Sequence, residues 1–493
     1  MNTSSPTQHS NSSPRVCIVG AGMSGILMAI KLLEKGITNF VIYEKSAAVA
    51  GTWRQNRYPG VACDVASFTY CYSFEPNPDW SYRFSPGNEI RDYFEHVVDK
   101  YGVRPYIQFN TEVTKAEYKD LQWQVETTHS QQHNKSQQSF DVYVSATGPL
   151  NNPNYPDING LDDFEGACFH TADWDDDYDY SDKRVGIIGT GSSSVQTIDP
   201  LSSKAKQLTI FQRTPQWVIH TGNPRYSARA IALKNKLPIL GRLTRNFYHW
   251  MGEQFGQAAL HNGFRRKIVF KACAAALNKI KDPVLRKKLT PDYLPMCRRM
   301  IMSGSFHEAV QRPNVSVETT AIDCITATGI KTTDGKLHEL DLLVLATGFY
   351  FNVTNVKHII GLDGQSLQDY WQQGIKTYRS MTVPGFPNYF MLIGPNSPIT
   401  NLSLIEIAEI GANYIIQAIE KMAANELVAM SPKAEVTDQL TNALRAAFGD
   451  TIWTSGCSSW YLDDDGIPAT WPWAPSEYHR QLNSPNLNDY DLL

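Results

Sequence analysis

The run RVCIVGAGMSG, residues 15–25, decides the fold. Its first five residues are short, apolar and β-branched, as in a strand buried on both faces of a parallel sheet, and they lead straight into Gly20, Gly22 and Gly25. In such a G-x-G-x-x-G turn the first glycine permits the tight bend and the second lets backbone approach a pyrophosphate. The third lets the following helix pack close to the sheet. Residues 26–35 continue with a helical pattern that Gly36 is placed to stop, and a second apolar strand, residues 40–43, ends at Glu44. An acid there, nineteen residues after Gly25, is placed to hydrogen-bond an adenosine ribose.

The pattern returns at residues 184–194, RVGIIGTGSSS. Gly189 and Gly191 supply the turn, Ser192 follows them, and Ser194 replaces the third glycine with another small residue. After the strand at residues 207–211 no acid appears; Arg213 and Thr214 stand near the strand end instead. A guanidinium and a hydroxyl suit a phosphate on the ribose where a carboxylate would suit a free hydroxyl, so the first unit should prefer FAD and the second NADPH over NADH. Each unit also has a strand ending in Ala-Thr-Gly, at residues 146–148 and 346–348. The expected fold class is α/β, with two Rossmann-like dinucleotide-binding domains for FAD and NADP and an inserted helical subdomain.

Three further stretches narrow the reading. Residues 164–175, FEGACFHTADWD, fit F-x-G-x-x-x-H-x-x-x-W-[PD] at Phe164, Gly166, His170, Trp174 and Asp175. Residues 50–64, AGTWRQNRYPGVACD, fit [AG]-G-x-W-x-x-x-x-[FY]-P-[GM]-x-x-x-D, with Gly51, Trp53 and Asp64 among the fixed positions. Residues 293–300, YLPMCRRM, carry the paired arginines Arg298 and Arg299. Together these resemble the Baeyer-Villiger monooxygenases, FAD- and NADPH-dependent flavoproteins that insert oxygen beside a ketone carbonyl. The first stretch is that family's fingerprint and Trp174 its discriminating position; relatives that oxidise nitrogen and sulfur usually carry another aromatic residue there.

The resemblance covers nearly the whole chain and implies roles. Residues 50–64 would lie along the flavin, with Asp64 near its reacting face. Arg299 would be the catalytic arginine over the flavin, and Arg298 would stand for the family's lysine that helps hold the extra phosphate of the nicotinamide cofactor. Arginine in place of lysine changes the donor geometry. The implied reaction uses NADPH and dioxygen, passes through a flavin peroxide and turns a ketone into an ester or lactone. No bond-making step falls to His170 or Trp174, which suit hinge geometry or domain coupling.

Composition sets the outer limits. A chain of 493 residues, 42% hydrophobic, can bury several cores. The expected division is a polar tail at 1–14, an FAD-binding domain at 15–150 and 380–493, an NADP-binding domain at 151–216 and 296–379, and a helical insertion at 217–295. A net charge of −4 argues against general nucleic-acid binding. The eight cysteines show no C-x-x-C pair, metal-like spacing or dense framework, which predicts no disulfide and no metal and suits a reducing cytoplasm. No apolar run is long enough to span a bilayer. Residues 225–288 nonetheless hold fifteen Lys or Arg against two acids, Glu253 and Asp282; this reads as a solvated helical surface, a steering field for an anionic cofactor, or a contact for an anionic membrane. Two rivals share the two-nucleotide plan: a flavin monooxygenase acting on sulfur or nitrogen, and a flavin-binding redox sensor with little turnover.

Overall fold

In the computed structural model, which describes residues 13–350, 356–399, 402–449, 451–457, 462, 466 and 468–493, the two glycine turns open two separate parallel sheets. Most of the expected polar tail lies outside the described residues. The first unit runs from β1 (Val16–Val19) into α1 (Met23–Glu34) and β2 (Phe40–Tyr43). Its sheet has the order Tyr389–Met391, Val142–Ser145, β1, β2, Ile107–Gln108, every pair parallel. Parallel strands covered on both faces need apolar side chains on both, and Val16, Cys17 and Ile18 are fully buried.

The second sheet has the same five-stranded parallel plan. It contains β3 (Ala167–His170), β4 (Arg184–Ile188), followed by α2 (Ser192–Lys204), β5 (Gln207–Phe211) and β6 (Leu342–Leu345). The order is Val315–Glu318, β5, β4, β6, β3. The family-specific stretch thus contributes an edge strand to this sheet, Ala167–His170.

Thr111–Lys119, Gln122–His129 and Lys135–Phe140 form an antiparallel meander. Ile359–Ile360 adds to it in parallel, and Leu367 and Trp371 join the core around Trp123 and Tyr143. Residues 356–371 therefore pack on the first unit, although the sequence places them in the second; the chain returns soon after Gly348, well before residue 380.

The insertion is helical, with Ala228–Lys236, Pro238–Leu260, Phe264–Leu277 and Pro283–Lys288. Its starts are written locally. Ser227 accepts from the amide of Ala230, Asp282 accepts from those of Val284 and Leu285, and Pro238 and Pro283 open helices where proline lacks no needed donor.

Candidate active site

At the first turn, backbone leaves no room for a side chain at Gly20 or Gly25. Gly20 has φ +104°, and a Cβ there would sit 2.7 Å from the carbonyl oxygen of Ala146; a Cβ on Gly25 would sit 1.9 Å from that of Gly20. Gly51 approaches from the second motif, so that a Cβ on it would lie 3.1 Å from the Cα of Gly22. No side chain caps the start of α1, which leaves its first amides directed at the space beyond Gly22. Glu44 is buried and its carboxylate accepts from the amides of Ala21 at 2.7 Å and Ser46 at 2.8 Å. It therefore orders the turn, and each oxygen retains a lone pair for a ribose hydroxyl. Trp53 donates its indole N–H to the hydroxyl of Tyr70 at 3.2 Å and packs edge-on against that ring.

The second turn repeats the geometry with one relaxation. Gly189 has φ +116° and a Cβ there would meet the Ala346 carbonyl oxygen at 2.2 Å, whereas nothing lies within 4 Å of a Cβ on Gly191. Gly191 faces open space at the uncapped start of α2, at Ser192. Ser194 is fully buried and its hydroxyl has no hydrogen-bond partner among the described residues. Thr190 donates to the carbonyl of Thr214 at 2.6 Å, which ties the turn to the segment carrying Arg213, and Arg213 is exposed.

Residues 58–62 dock the two units. Tyr58 donates to the side-chain oxygen of Gln196 at 2.8 Å, Gln196 donates to the carbonyl of Ala62 at 2.9 Å, and Thr197 donates to that of Pro59 at 2.9 Å. Gly60 lies so close to α2 that a Cβ would be 2.3 Å from the Gln196 carbonyl. The segment leading to Asp64 is thereby set by the helix of the other nucleotide unit.

The fingerprint residues act on the same junction. Phe164 packs over Gly166, where a Cβ would lie 2.5 Å from its ring. His170 is buried; its Nδ1 accepts from the Ala172 amide at 3.0 Å, so Nε2 carries the proton and donates to the Gly348 carbonyl at 3.0 Å. Burial pushes its pKa down, which keeps the ring neutral and this pairing fixed. Trp174 is buried beside Tyr58 in the core of the second unit, and its carbonyl accepts from Arg57 at 3.2 Å. Asp175 is exposed and accepts from the amide of Asp177 at 3.0 Å. The His170 side chain thus holds the crossover at Gly348, and the Trp174 carbonyl holds Arg57 in the loop before Asp64.

Arg299 and Asp64 come together from 235 residues apart. Nε of Arg299 donates to one carboxylate oxygen at 3.2 Å and Nη2 reaches both oxygens at 2.9 Å. The charge of Asp64 raises the pKa of Arg299 further, against the opposing effect of burial. The side chains remain 39% and 19% exposed, so the pair reaches solvent. Nη1 of Arg299 has no partner among the described residues. The arrangement is a permanently protonated donor, clamped along one edge and free along the other. Arg298 turns away: its guanidinium lies 4.5 Å from the centre of the Tyr293 ring, and Tyr293 donates to Pro215 and Gln216, just beyond Arg213 and Thr214. A cavity of about 560 Å³ lies nearby between residues 53–62 and Asn223, but neither Arg299 nor Asp64 lines it.

Comparison with known proteins places this geometry. Residues 13–370 match the model of the flavin-binding monooxygenase-like family. A Baeyer-Villiger monooxygenase of Streptomyces coelicolor is 37% identical over 97% of this chain and 92% of its own. The chain belongs to this family, among its Baeyer-Villiger monooxygenases. An uncharacterized monooxygenase of Mycobacterium tuberculosis is 44% identical over 97% of this chain and 96% of its own. The crystal structure of OTEMO in complex with FAD and NADP superposes with a TM-score of 0.87 at 28% identity, covering 98% of this chain and all of that one.

For this Baeyer-Villiger monooxygenase the sequence reading needs one correction at the site and leaves several residues unseen. Cys297 and Cys457 form a disulfide with Cα atoms 6.1 Å apart, although no disulfide was expected. A bridge spanning 160 residues leaves no short spacing to read. Gln196, Thr197 and Tyr293 also escaped, because each acts through a contact with a distant segment; only the polarity of Gln196 and Thr197 on a helix facing the first unit could have signalled them. Among the described residues no cluster of ligating side chains could hold a metal ion.

Proposed function

We propose that this flavoprotein uses NADPH and dioxygen to insert one oxygen atom beside the carbonyl of a small-molecule ketone, giving an ester or lactone. The observation that carries the reading is the clamped Arg299, whose Nη1 edge meets no partner among the described residues. Residues 20–25, with Glu44, Gly51 and Trp53, would hold FAD, whose pyrophosphate fits the backbone cradle that leaves no room for a Cβ at Gly20 or Gly25. Gly189, Gly191 and Ser192 would receive the pyrophosphate of NADPH, with Arg213, Thr214 and Arg298 about its additional phosphate. Bound FAD, reduced by NADPH, supplies the activated dioxygen.

The chain's own work is orientation and charge. Oxygen insertion next to a carbonyl concentrates negative charge on oxygen atoms, so a cation fixed beforehand lowers the barrier without reorganising during the reaction. Asp64 fixes the plane of the Arg299 guanidinium through Nε and Nη2, and Nη1 is left to donate toward the reacting oxygen. Asp64 also offsets the charge of Arg299 whenever no anion is present, which moderates the cost of holding a partly buried cation.

Arg299→Ala should retain FAD and its reduction by NADPH but lose ester formation by roughly 10²–10³-fold, the effect of removing one preorganised donor. The test incubates holoprotein with NADPH, dioxygen, cyclic, linear and aryl ketones and one thioether, with products identified by mass spectrometry. Esters from the parent protein and none from the variant support the reading. Normal ester yield in the variant removes Arg299 from its role, and sulfoxide as the sole product of the parent replaces ketone with a sulfur substrate.

A further inference from the structure

The helix Pro238–Leu260 has two committed faces. Its inner face is anchored: Arg245 donates to the carbonyl of Cys71 at 3.1 Å, His249 pairs with Glu406 at 2.8 Å, and Ala258, Ala259 and Leu260 are buried. The outer face is apolar. Ile239, Leu243, Phe247, Trp250 and Met251 are 53%, 57%, 54%, 57% and 39% exposed. Their spacing of four, four, three and one places them in one stripe along the helix. Isolated exposed apolar residues need no explanation, but five in register on a helix already docked by its opposite side do.

The helix and the two helices that contact it carry exposed cations, Arg242 on the helix itself and Arg229, Lys236, Arg265, Lys267 and Lys271 on or beside its neighbours. Two copies of the chain meeting through this face about a two-fold axis would bring like charge against like charge. An anionic bilayer surface satisfies both features, because its acyl boundary takes the apolar stripe and its headgroups take the flanking cations. No helix among the described residues is long and apolar enough to cross a membrane, so the contact is with the interface.

We propose that the helical insertion docks this protein on anionic lipid bilayers through Ile239, Leu243, Phe247, Trp250 and Met251. Docking uses a stripe that lies outside the nucleotide turns and the Arg299–Asp64 pair, and it stands whether or not the substrate reading does. Full-length holoprotein is floated with phosphatidylcholine vesicles and with vesicles of phosphatidylcholine and phosphatidylserine. Binding should appear on the anionic vesicles and weaken with added salt. Phe247→Ser/Trp250→Ser should lower the bound fraction by about tenfold while FAD content is kept. Quenching by brominated acyl chains, read as the difference between parent and Trp250→Phe, reports insertion without relying on the double variant. Parent protein that stays unbound on anionic vesicles overturns the proposal. So does a parent dimer in sedimentation equilibrium that the double variant converts to monomer, since a second copy would then cover the stripe.

Discussion

The two glycine turns of this molecule share a bend and differ in what their helices do afterwards. At both, the first glycine has a positive φ and presses against a crossing carbonyl, that of Ala146 in one case and Ala346 in the other. At the third position they part. Gly25 lies against the turn itself, and α1 continues into fully buried Ile26, Leu27, Met28, Ala29 and Ile30. Ser194 has room for its Cβ, and α2 goes on to spend Gln196 and Thr197 on the first unit. The third glycine therefore reports how closely a helix packs on its turn. It does not report whether a nucleotide site exists.

The sharpest way to break this comparison is to add one methyl group to each turn. Gly25→Ala places a carbon 1.9 Å from backbone that cannot move away, so the expected protein is insoluble or colourless. Gly189→Ala combines a clash at 2.2 Å with a left-handed φ, yet the first sheet is built without it. That variant should purify yellow with FAD while its flavin reduction at limiting NADPH slows by more than about tenfold, as a backbone shift in the turn misplaces the pyrophosphate. Absorbance of the purified flavin and stopped-flow reduction check both. A Gly25→Ala protein with a full complement of FAD would show that close helix packing is not what the third glycine secures.

A smaller effect separates the strand ends. Glu44 is buried and holds two amides, whereas Arg213 is exposed and free to meet a phosphate. Arg213→Ala should raise the Michaelis constant for NADPH by about tenfold to a hundredfold, the loss of a charge-assisted hydrogen bond, and leave that for NADH nearly unchanged. Steady-state kinetics with both cofactors decide it. An unaltered preference for NADPH would move the phosphate to Arg298 on its Tyr293 platform.

What could be read in advance follows the range of the interaction. The turns, the strand before each and the Ala-Thr-Gly endings are patterns within about thirty residues, and all of them formed. Arg299 and Asp64 were named through resemblance alone, since the two side chains that meet are 235 residues apart. Strand pairing of Ala167–His170 with Leu342–Leu345 was not legible, because an edge strand with intermediate burial looks like a loop until its partner is known. The same holds for Ile359–Ile360, which joins a strand almost 250 residues earlier, and for the Cys297–Cys457 bridge. Composition recorded that the cysteines existed; only topology brought two of them together.

Ser194 offers the finest test of the comparison. Its hydroxyl is buried without a hydrogen-bond partner among the described residues, a state that costs roughly 1–3 kcal/mol relative to an apolar group of the same shape. Ser194→Ala keeps the Cβ and removes that burden, so the second unit should gain about 1 kcal/mol in stability, read as a higher urea midpoint with an unchanged slope. Ser194→Gly removes the Cβ as well and adds backbone freedom at the start of α2, so it should lose about as much as the alanine variant gains. Nicotinamide cofactor affinity should move little in either. If instead Ser194→Ala weakens NADPH binding, the hydroxyl finds its partner in the bound cofactor, and the departure from glycine at this turn serves recognition as well as packing.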